Sequence, residues 1–254
     1  MYIDKEQEAQ INSTACVVLS KVDRKWNIDK FKMDKPSKCL ILNPPLRQDF
    51  LQLYQNSNDT TAEKVERKYI TCCSRLEPSK RPDRFVNLVC SMESFLKQIK
   101  VVPVLIGSKT DPIYSKELMI KLQKHFNIEN NQECIILDFM KDPKELQKIW
   151  ERTILNVHPA LYESFGMTIV EASTFGAPSL LDTNASIGAE DLFYGNNRFD
   201  VDMSDINTAT NYLKSLLLDR KLLIETGLRA QQIAVGWDDK AHSKGLELLL
   251  RNNV

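Results

Sequence analysis

Between His158 and Ser179 the chain reads H-P-A-L-Y-E-S-F-G-M-T-I-V-E-A-S-T-F-G-A-P-S, and this segment leaves the backbone few solutions. An apolar run, Ile154–Val157, leads into it, and a second, Ser179–Leu181, leads out. Gly166 supplies the permissive conformation a tight turn needs. Thr168–Phe175 predicts a short helix, closed by Gly176 in the C′ position with Pro178 just beyond. The segment therefore reads as strand, turn, short helix, strand. Two carboxylates, Glu163 and Glu171, sit within it, one just before the helix and one a turn inside.

The same alternation runs through most of the chain. Candidate strands are Ala15–Leu19, Cys39–Leu42, Tyr69–Cys73, Val101–Ile106, Cys134–Leu137, Ile154–Val157 and Ser179–Leu181. Helical patterns fall between them at Asp83–Ile99, Ser115–Phe126, Pro143–Arg152 and Thr168–Phe175. Strands alternating with helices predict βαβ units, so the fold class is α/β, with a Rossmann-like parallel sheet and helices on both faces. After Gly195 the strands thin out and Asp205–Leu218, Lys221–Val235 and Asp238–Leu250 read as helices. Asn56–Thr61 (N-S-N-D-T-T) reads as a loop. The 254 residues suffice for one large or two small domains with a real core.

Composition excludes several classes of function. Lys and Arg number 34 against 34 Asp and Glu, without the basic excess of a nucleic-acid binder. No run approaches the ~18 apolar residues that span a bilayer, and the polar N-terminus lacks a signal peptide's apolar centre. Six cysteines sit mostly inside apolar runs, and Cys72 and Cys73 would face opposite sides of a strand. With no C-x-x-C pair or zinc spacing, they read as reduced core thiols of a cytoplasmic or cytosol-facing protein, and no metal site is expected.

The first free N–H groups of a helix that follows Gly166 would point past the strand ends and favour a phosphate. Carboxylates beside a phosphate repel it, so Glu163 and Glu171 are better placed to accept hydrogen bonds from sugar hydroxyls. A nucleotide diphosphate flanked by two sugars would satisfy every part. A second constellation, Ser74-Arg75-Leu76-Glu77-Pro78-Ser79-Lys80, lies at the carboxyl end of the Tyr69–Cys73 strand, where ligands of open α/β sheets bind. Arg75, a planar fork, and Lys80, a compact charge, would bracket the diphosphate there. Arg81 and Arg84 read as helix-start and surface residues. His158, ending a buried strand, reads as a satisfied core histidine, and His125 and His242 as surface residues.

Glu163, Phe165-Gly166, Glu171-Ala172, Gly176 and Pro178 together resemble the hallmark of retaining, nucleotide-sugar-dependent glycosyltransferases of the GT-B fold (the family-4 type): Glu, seven residues, Glu, written around F-G and followed by E-A-x-x-x-G-x-P. The likeness is to the C-terminal domain and covers almost the whole chain. Ala15–Ser20 resembles the strand that ends the N-terminal domain, and Cys39–Pro45 the strand that begins the second. The division expected is 1–37 as domain tail and linker and 38–254 as the donor-binding domain. By resemblance, Arg75 and Lys80 hold the diphosphate, Glu163 contacts the donor sugar and Glu171 the ribose. Backbone N–H groups of Phe165, Gly166, Met167 and Thr168 contact sugar and phosphate, with the Thr168 hydroxyl as an added donor. Gly107 matches the first glycine of a G-x-G turn near the nucleotide, whose second glycine is absent here. Trp237 matches a packing residue at the start of the closing helix, and Ser186–Leu192 matches a wall of the cleft. The family implies a nucleotide diphosphate sugar as substrate, no metal or other cofactor, and no protein base. It also implies an N-terminal acceptor-binding half, missing from this sequence, as a possible separate partner. The chain is thus read as the donor half of a glycosyltransferase or, alternatively, as a non-catalytic remnant or subunit acting as a binding module. A relative with other chemistry, such as a nucleotide-sugar epimerase, fits less well, since it too needs the absent half.

Overall fold

The β-branched runs do form strands, and the main sheet they build is parallel throughout. The computed structural model describes residues 5, 8, 9, 12, 13, 15–33, 36–58, 66–128, 133–138, 140 and 142–253. In chain order the first elements are β1 (Cys16–Val18), α1 (Lys21–Phe31), β2 (Cys39–Ile41), α2 (Gln48–Asn58), β3 (Tyr69–Cys73), α3 (Pro82–Ser91), α4 (Glu93–Gln98) and β4 (Val102–Ile106). Then follow α5 (Pro112–His125), β5 (Ile135–Leu137), α6 (Pro143–Trp150), β6 (Thr153–His158), β7 (Tyr162–Glu163), α7 (Met167–Thr174), β8 (Ser179–Asp182) and β9 (Ser186–Ile187). β10 (Phe199–Val201), α8 (Ile206–Leu218), α9 (Arg220–Gly236) and α10 (Asp239–Asn253) complete the described chain.

The six-stranded sheet has the order β10-β8-β6-β3-β4-β5. The chain starts in the middle at β3, moves outward through β4 and β5, then returns to β6 beside β3 and moves outward the other way. This is a doubly wound order, and its direction reverses between β3 and β6. Both faces are buried. Ile70 and Cys72 join one apolar cluster with Phe85, Leu118 and Leu213, from α3, α5 and α8. Tyr69 and Val104 join the other with Phe50, Trp150, Ile169 and Ala230, from α2, α6, α7 and α9. Cys73 packs against that second cluster, so the two neighbouring thiols face opposite sides as their alternation requires.

Several expectations change at this level. The helix expected over Asp83–Ile99 is two helices, because Met92 leaves helical geometry (φ −117°, ψ 20°) while its side chain is buried. Asn56, Ser57 and Asn58 are the last turn of α2 rather than loop, and 59–61 lie outside the described residues. The sheet gains an edge strand, β10, after Gly195, through Phe199 and Val201 against β8. Ahead of residue 38, where a domain tail and linker are expected, β1 pairs in parallel with β2, and α1 donates the Lys21 N–H to Asp191 (2.8 Å), contacts that leave the expected division as it stands. Most of 1–14 lies outside the described residues. Trp237 caps α9 and donates its indole N–H to the Asn43 carbonyl (3.2 Å), a packing role.

Gly107 follows β4 where two loop backbones meet. A β-carbon there would lie 1.7 Å from the Ser74 carbonyl oxygen, so the residue must be glycine for the β3 and β4 loops to pass at this distance. Hydrogen bonds from Ser74 N–H to Ile106 O (3.0 Å) and Leu76 N–H to Ser108 O (2.9 Å) tie the same crossing. Gly107→Ala is expected to cost on the order of 2–3 kcal/mol of stability, as overpacking against a fixed backbone does. Urea denaturation checks this. A loss within about 0.5 kcal/mol, the scale of an ordinary surface change, would show that the two loops give way freely.

Candidate functional site

The crevice outside the carboxyl ends of β3 and β6 is where a doubly wound sheet binds its ligand, and the residues singled out above hang from those two strands. From β3 the chain runs through Ser74 and Arg75 into a 3-10 turn, Pro78–Lys80, then into α3 with Arg81 in left-handed conformation (φ 52°). From β6 it runs through Pro159 and Ala160 to β7, the Gly166 turn and α7.

Gly166, at φ 101°, is the N-cap of α7 and makes no side-chain cap bond. The first turn of α7, Met167 and Thr168, therefore faces the crevice with backbone donors that no capping side chain occupies. The far end of α7 is closed tightly. Gly176 (φ 71°) donates to Ser173 O (2.8 Å) and Ala177 to Ala172 O (3.1 Å), a Schellman pair. Arg67, buried just ahead of β3, adds donors to the carbonyls of Phe175 and Thr153 and so sets a cation at that helix end.

Two charged pairs define the crevice. Lys80 Nζ lies 2.8 Å from Glu163 Oε1, with both side chains largely buried. The Ser74–Lys80 excursion after β3 and the two-residue strand β7 thus bring the predicted diphosphate cation and the predicted sugar carboxylate into direct contact. Glu171 is buried inside α7, where its apolar neighbours leave no outer face. Its partner is Arg47, whose Nη1 stands 3.7 Å from Oε1. Burial pushes the Glu171 carboxyl up to about 7, with Arg47 opposing and Asp49 reinforcing the rise. Sequence reasoning did not find Arg47. The N-P-P-L-R segment ends the linker after β2, and only the folded chain sets it beside α7.

The remaining site residues divide. Arg75 stands at the end of β3 but is half exposed and turned to Glu77 (3.2 Å), away from the Lys80–Glu163 pair. The Phe165 ring is buried in the core, leaving its backbone as the part available to a ligand, and the Phe165 carbonyl is taken by Ala189 N–H (2.6 Å). Met167 packs against the same core. The Thr168 hydroxyl lies 3.4 Å from His158 Nδ1, so it is engaged within the protein. Gly107 lies at the crossing of the β3 and β4 loops. Behind β7, Ser186–Ile187 pairs as β9, and the Ser20 hydroxyl bonds the Ser164 carbonyl (2.6 Å). A β-carbon on Gly188 would lie 2.1 Å from that carbonyl, so the Ser186–Leu192 segment is packed directly against the Glu163–Gly166 turn.

Three expectations for basic residues are corrected. Arg84 is not a surface residue: its guanidinium pairs with Asp182, a fully buried carboxylate at the end of β8, and the pair is shielded from water. His158 is buried as expected but not satisfied, since its Nε2 has no hydrogen-bond partner. His242 is only partly exposed and bonds the Asn43 carbonyl through Nδ1 (2.9 Å). Among the described residues no group of three or more His, Cys, Asp or Glu side chains could hold a metal ion.

The raised Glu171 pKa has a consequence for stability. Between the ordinary carboxyl range and about pH 7 the folded protein holds a proton that the unfolded chain releases, so stability is fullest below pH 4.5 and declines as pH rises toward 7. Glu171→Gln removes this dependence. The variant is expected to gain on the order of 2–3 kcal/mol over wild type at pH 8 and little at pH 4.5. Denaturant midpoints at the two pH values check it, and an equal effect at both would show that Glu171 is charged in the fold throughout.

Comparison with known proteins follows the geometry. The family model described as glycosyl transferases group 1 matches residues 55–233. No curated protein sequence matches significantly. Among solved structures, HepE from Anabaena, crystallised with UDP and glucose, superposes with a TM-score of 0.74 at 17% identity over 98% of this chain and 66% of its own. Sucrose-phosphate synthase from Thermosynechococcus elongatus gives 0.72 at 15%, over 98% and 61%. A TarM variant from S. aureus, crystallised with UDP among other ligands, gives 0.71 at 18%, over 97% and 46%. The chain thus spans less than two thirds of each of these structures, and the likeness establishes the GT-B fold. The matched segment takes in β3 to α9, with the whole main sheet and both carboxylates, and the chain belongs to the glycosyl transferases group 1 family.

Proposed function

We propose that this chain forms the donor-binding half of a retaining glycosyltransferase that moves a hexosyl group from a nucleotide diphosphate sugar. The observation that carries the reading is the meeting of Lys80, Glu163 and the open end of α7 at the reversal point of the sheet. The diphosphate lies against the first turn of α7 and Lys80, and Arg75, exposed and held by one carboxylate, swings in from Glu77. Glu163 accepts hydrogen bonds from donor-sugar hydroxyls and Glu171 from the ribose. UDP and glucose in HepE support a uridine or related nucleotide as the kind of ligand to test.

Chemistry follows from these roles. As the glycosidic C–O bond to the phosphate breaks, negative charge grows on the leaving oxygen. Preorganised donors at the helix end and the two cations stabilise that charge, the largest single contribution in sites of this type. The departing phosphate takes the acceptor's proton on the same face, so the anomeric configuration is retained without a protein base. The reading assigns charge neutralisation to Lys80, Arg75 and α7 rather than to a metal ion.

The acceptor wall is proposed to come from a companion half, in this polypeptide or a separate one. β1 and β2 form a parallel ribbon of two strands among the described residues, and such ribbons are marginal unless extended or covered. Val17 and Leu19 on it are 47% and 42% exposed. A further strand beside β1 would cover them. A cytosol-facing location is part of the reading. All six cysteines are free thiols, four of them buried, and burial pushes the Cys72 thiol up to about 12. Among the described residues no helix is long and apolar enough to cross a membrane.

Calorimetric titration with UDP, GDP and ADP is expected to find at least one micromolar ligand. Lys80→Ala and Glu171→Ala should each weaken it by about tenfold or more, the worth of one charge-assisted hydrogen bond. Absence of binding to all three, or variants that bind like wild type, would remove the cleft assignment. Addition of the companion half should then permit sugar transfer, and donor binding without transfer or hydrolysis in its presence would make this chain a binding module instead.

A further inference from the structure

A buried polar atom without a partner is rare in folded proteins and asks for a reason. His158 Nε2 is such an atom. The side chain ends β6, is 3% exposed, and points at the crevice, where Glu163 Oε1 lies 3.9 Å from Nε2. That is about an ångström beyond a hydrogen bond. The same carboxylate oxygen is held by Lys80 Nζ at 2.8 Å. One oxygen therefore faces two donors, of which only one has it.

We propose that His158 is a positioning residue for Glu163: its Nε2–H takes over the carboxylate when a nucleotide diphosphate sugar draws Lys80 onto the phosphates. The proposal rests on the donor-site reading given above. In the free protein Lys80 satisfies Glu163, but a cation committed to a diphosphate can no longer fix a carboxylate aimed at the sugar. Held by sugar hydroxyls alone, Glu163 would be a largely buried charge that no fixed protein donor orients. A second donor at a fixed place holds it.

The surroundings of His158 make it suitable. Burial pushes the imidazole down to about 4, with Glu163 opposing and Lys80 reinforcing the fall, so the ring is neutral at pH 7 and carries one N–H. In the proposed arrangement the Thr168 hydroxyl, 3.4 Å from Nδ1, is the donor to that nitrogen, which leaves the proton on Nε2. A neutral donor steadies the carboxylate without adding a positive charge that would repel Lys80. Thr168 belongs to the first turn of α7, so the relay Thr168–His158–Glu163 joins the phosphate end of the site to its sugar end.

The test uses the full chain, titrated with UDP-glucose, GDP-mannose and ADP-glucose and with each sugar-free diphosphate. The pair that binds is carried through His158→Leu and His158→Gln. His158→Leu should weaken the diphosphate and the nucleotide sugar alike by about tenfold, the worth of a hydrogen bond to a charged group, because both draw Lys80 from Glu163. His158→Gln keeps an N–H near the Nε2 position and should retain most of the sugar affinity. No weakening of either ligand in the Leu variant, or an equal loss in the Gln variant, overturns the proposal. Nitrogen-15 NMR of the wild-type imidazole answers even where the Leu variant does not fold. The Nε2–H tautomer must be present, and its proton must move downfield with the diphosphate and with the nucleotide sugar, since both draw Lys80 from Glu163. An Nδ1–H tautomer, or a proton that does not move, overturns it. Failure of all six ligands to bind sinks the donor-site reading itself, an outcome distinct from a failure confined to the His158 variants.

Discussion

The parallel sheet, buried on both faces, sets where everything else can happen. Helices cover its two sides, so the polar groups of a ligand site have only the strand ends to use. Because β3 and β6 are neighbours in space but far apart in sequence, the loops leaving their carboxyl ends diverge to opposite sides and leave a crevice between them. Lys80 comes from one loop and Glu163 from the other. The crossing at Gly107 and Ser74 holds the first loop against β4, and the packing of Gly188 and Ser20 on Ser164 holds the second against β9. Close approach of backbone at both places, joined at the second by the Ser20 hydroxyl, holds the two loops.

Within it, charges are arranged to satisfy one another. Lys80 meets Glu163, Arg47 meets Glu171, and Arg75 meets Glu77. Each pair joins a group assigned to the nucleotide sugar to one of opposite sign. This keeps the free protein from burying isolated charges, whose desolvation would cost several kcal/mol each. On the proposed reading a nucleotide sugar enters by exchange: phosphates replace carboxylates around the cations, and hydroxyls replace cations around the carboxylates. The net gain is then a difference between two satisfied states. Geometry rather than total charge decides it, and this is why a fixed spare donor beside Glu163 matters.

How much of this could be read in the sequence depended on whether the signal was local. The segment around α7 was legible because Gly166 and Gly176 each occupy a left-handed position that other residues resist, and because apolar runs mark β6 and β8. β3 was legible to the residue for the same reason. α1 was not, since K-V-D-R-K-W-N-I-D-K-F spreads charge around the whole helix and leaves no clear apolar stripe. β7 and β9 have two residues each and owe their existence to pairing with one another. Arg47, Arg84 and His158 were misread or missed because their partners lie 124, 98 and 5 or 10 positions away, and only the last of these falls within one motif. The two carboxylates and Lys80 could be named from the sequence, but not the contact between Lys80 and Glu163.

On the proposed reading, donor binding and catalysis place different demands on this chain. A diphosphate needs the helix end and cations that the chain already holds around one crevice. Transfer also needs an acceptor hydroxyl held within reach of the anomeric carbon and water kept out, and both require a second wall. The β1–β2 ribbon is where the fold is least self-sufficient: it has too few strands to be stable alone and exposes Val17 and Leu19 beside the Ser20–Ser164 contact. A companion that extends this ribbon would therefore press on the Ser164 side of the Glu163 turn, through Ser20. Closure of the second wall and alignment of the sugar carboxylate would then be mechanically linked, so that the catalytic arrangement is completed only when the acceptor side is in place.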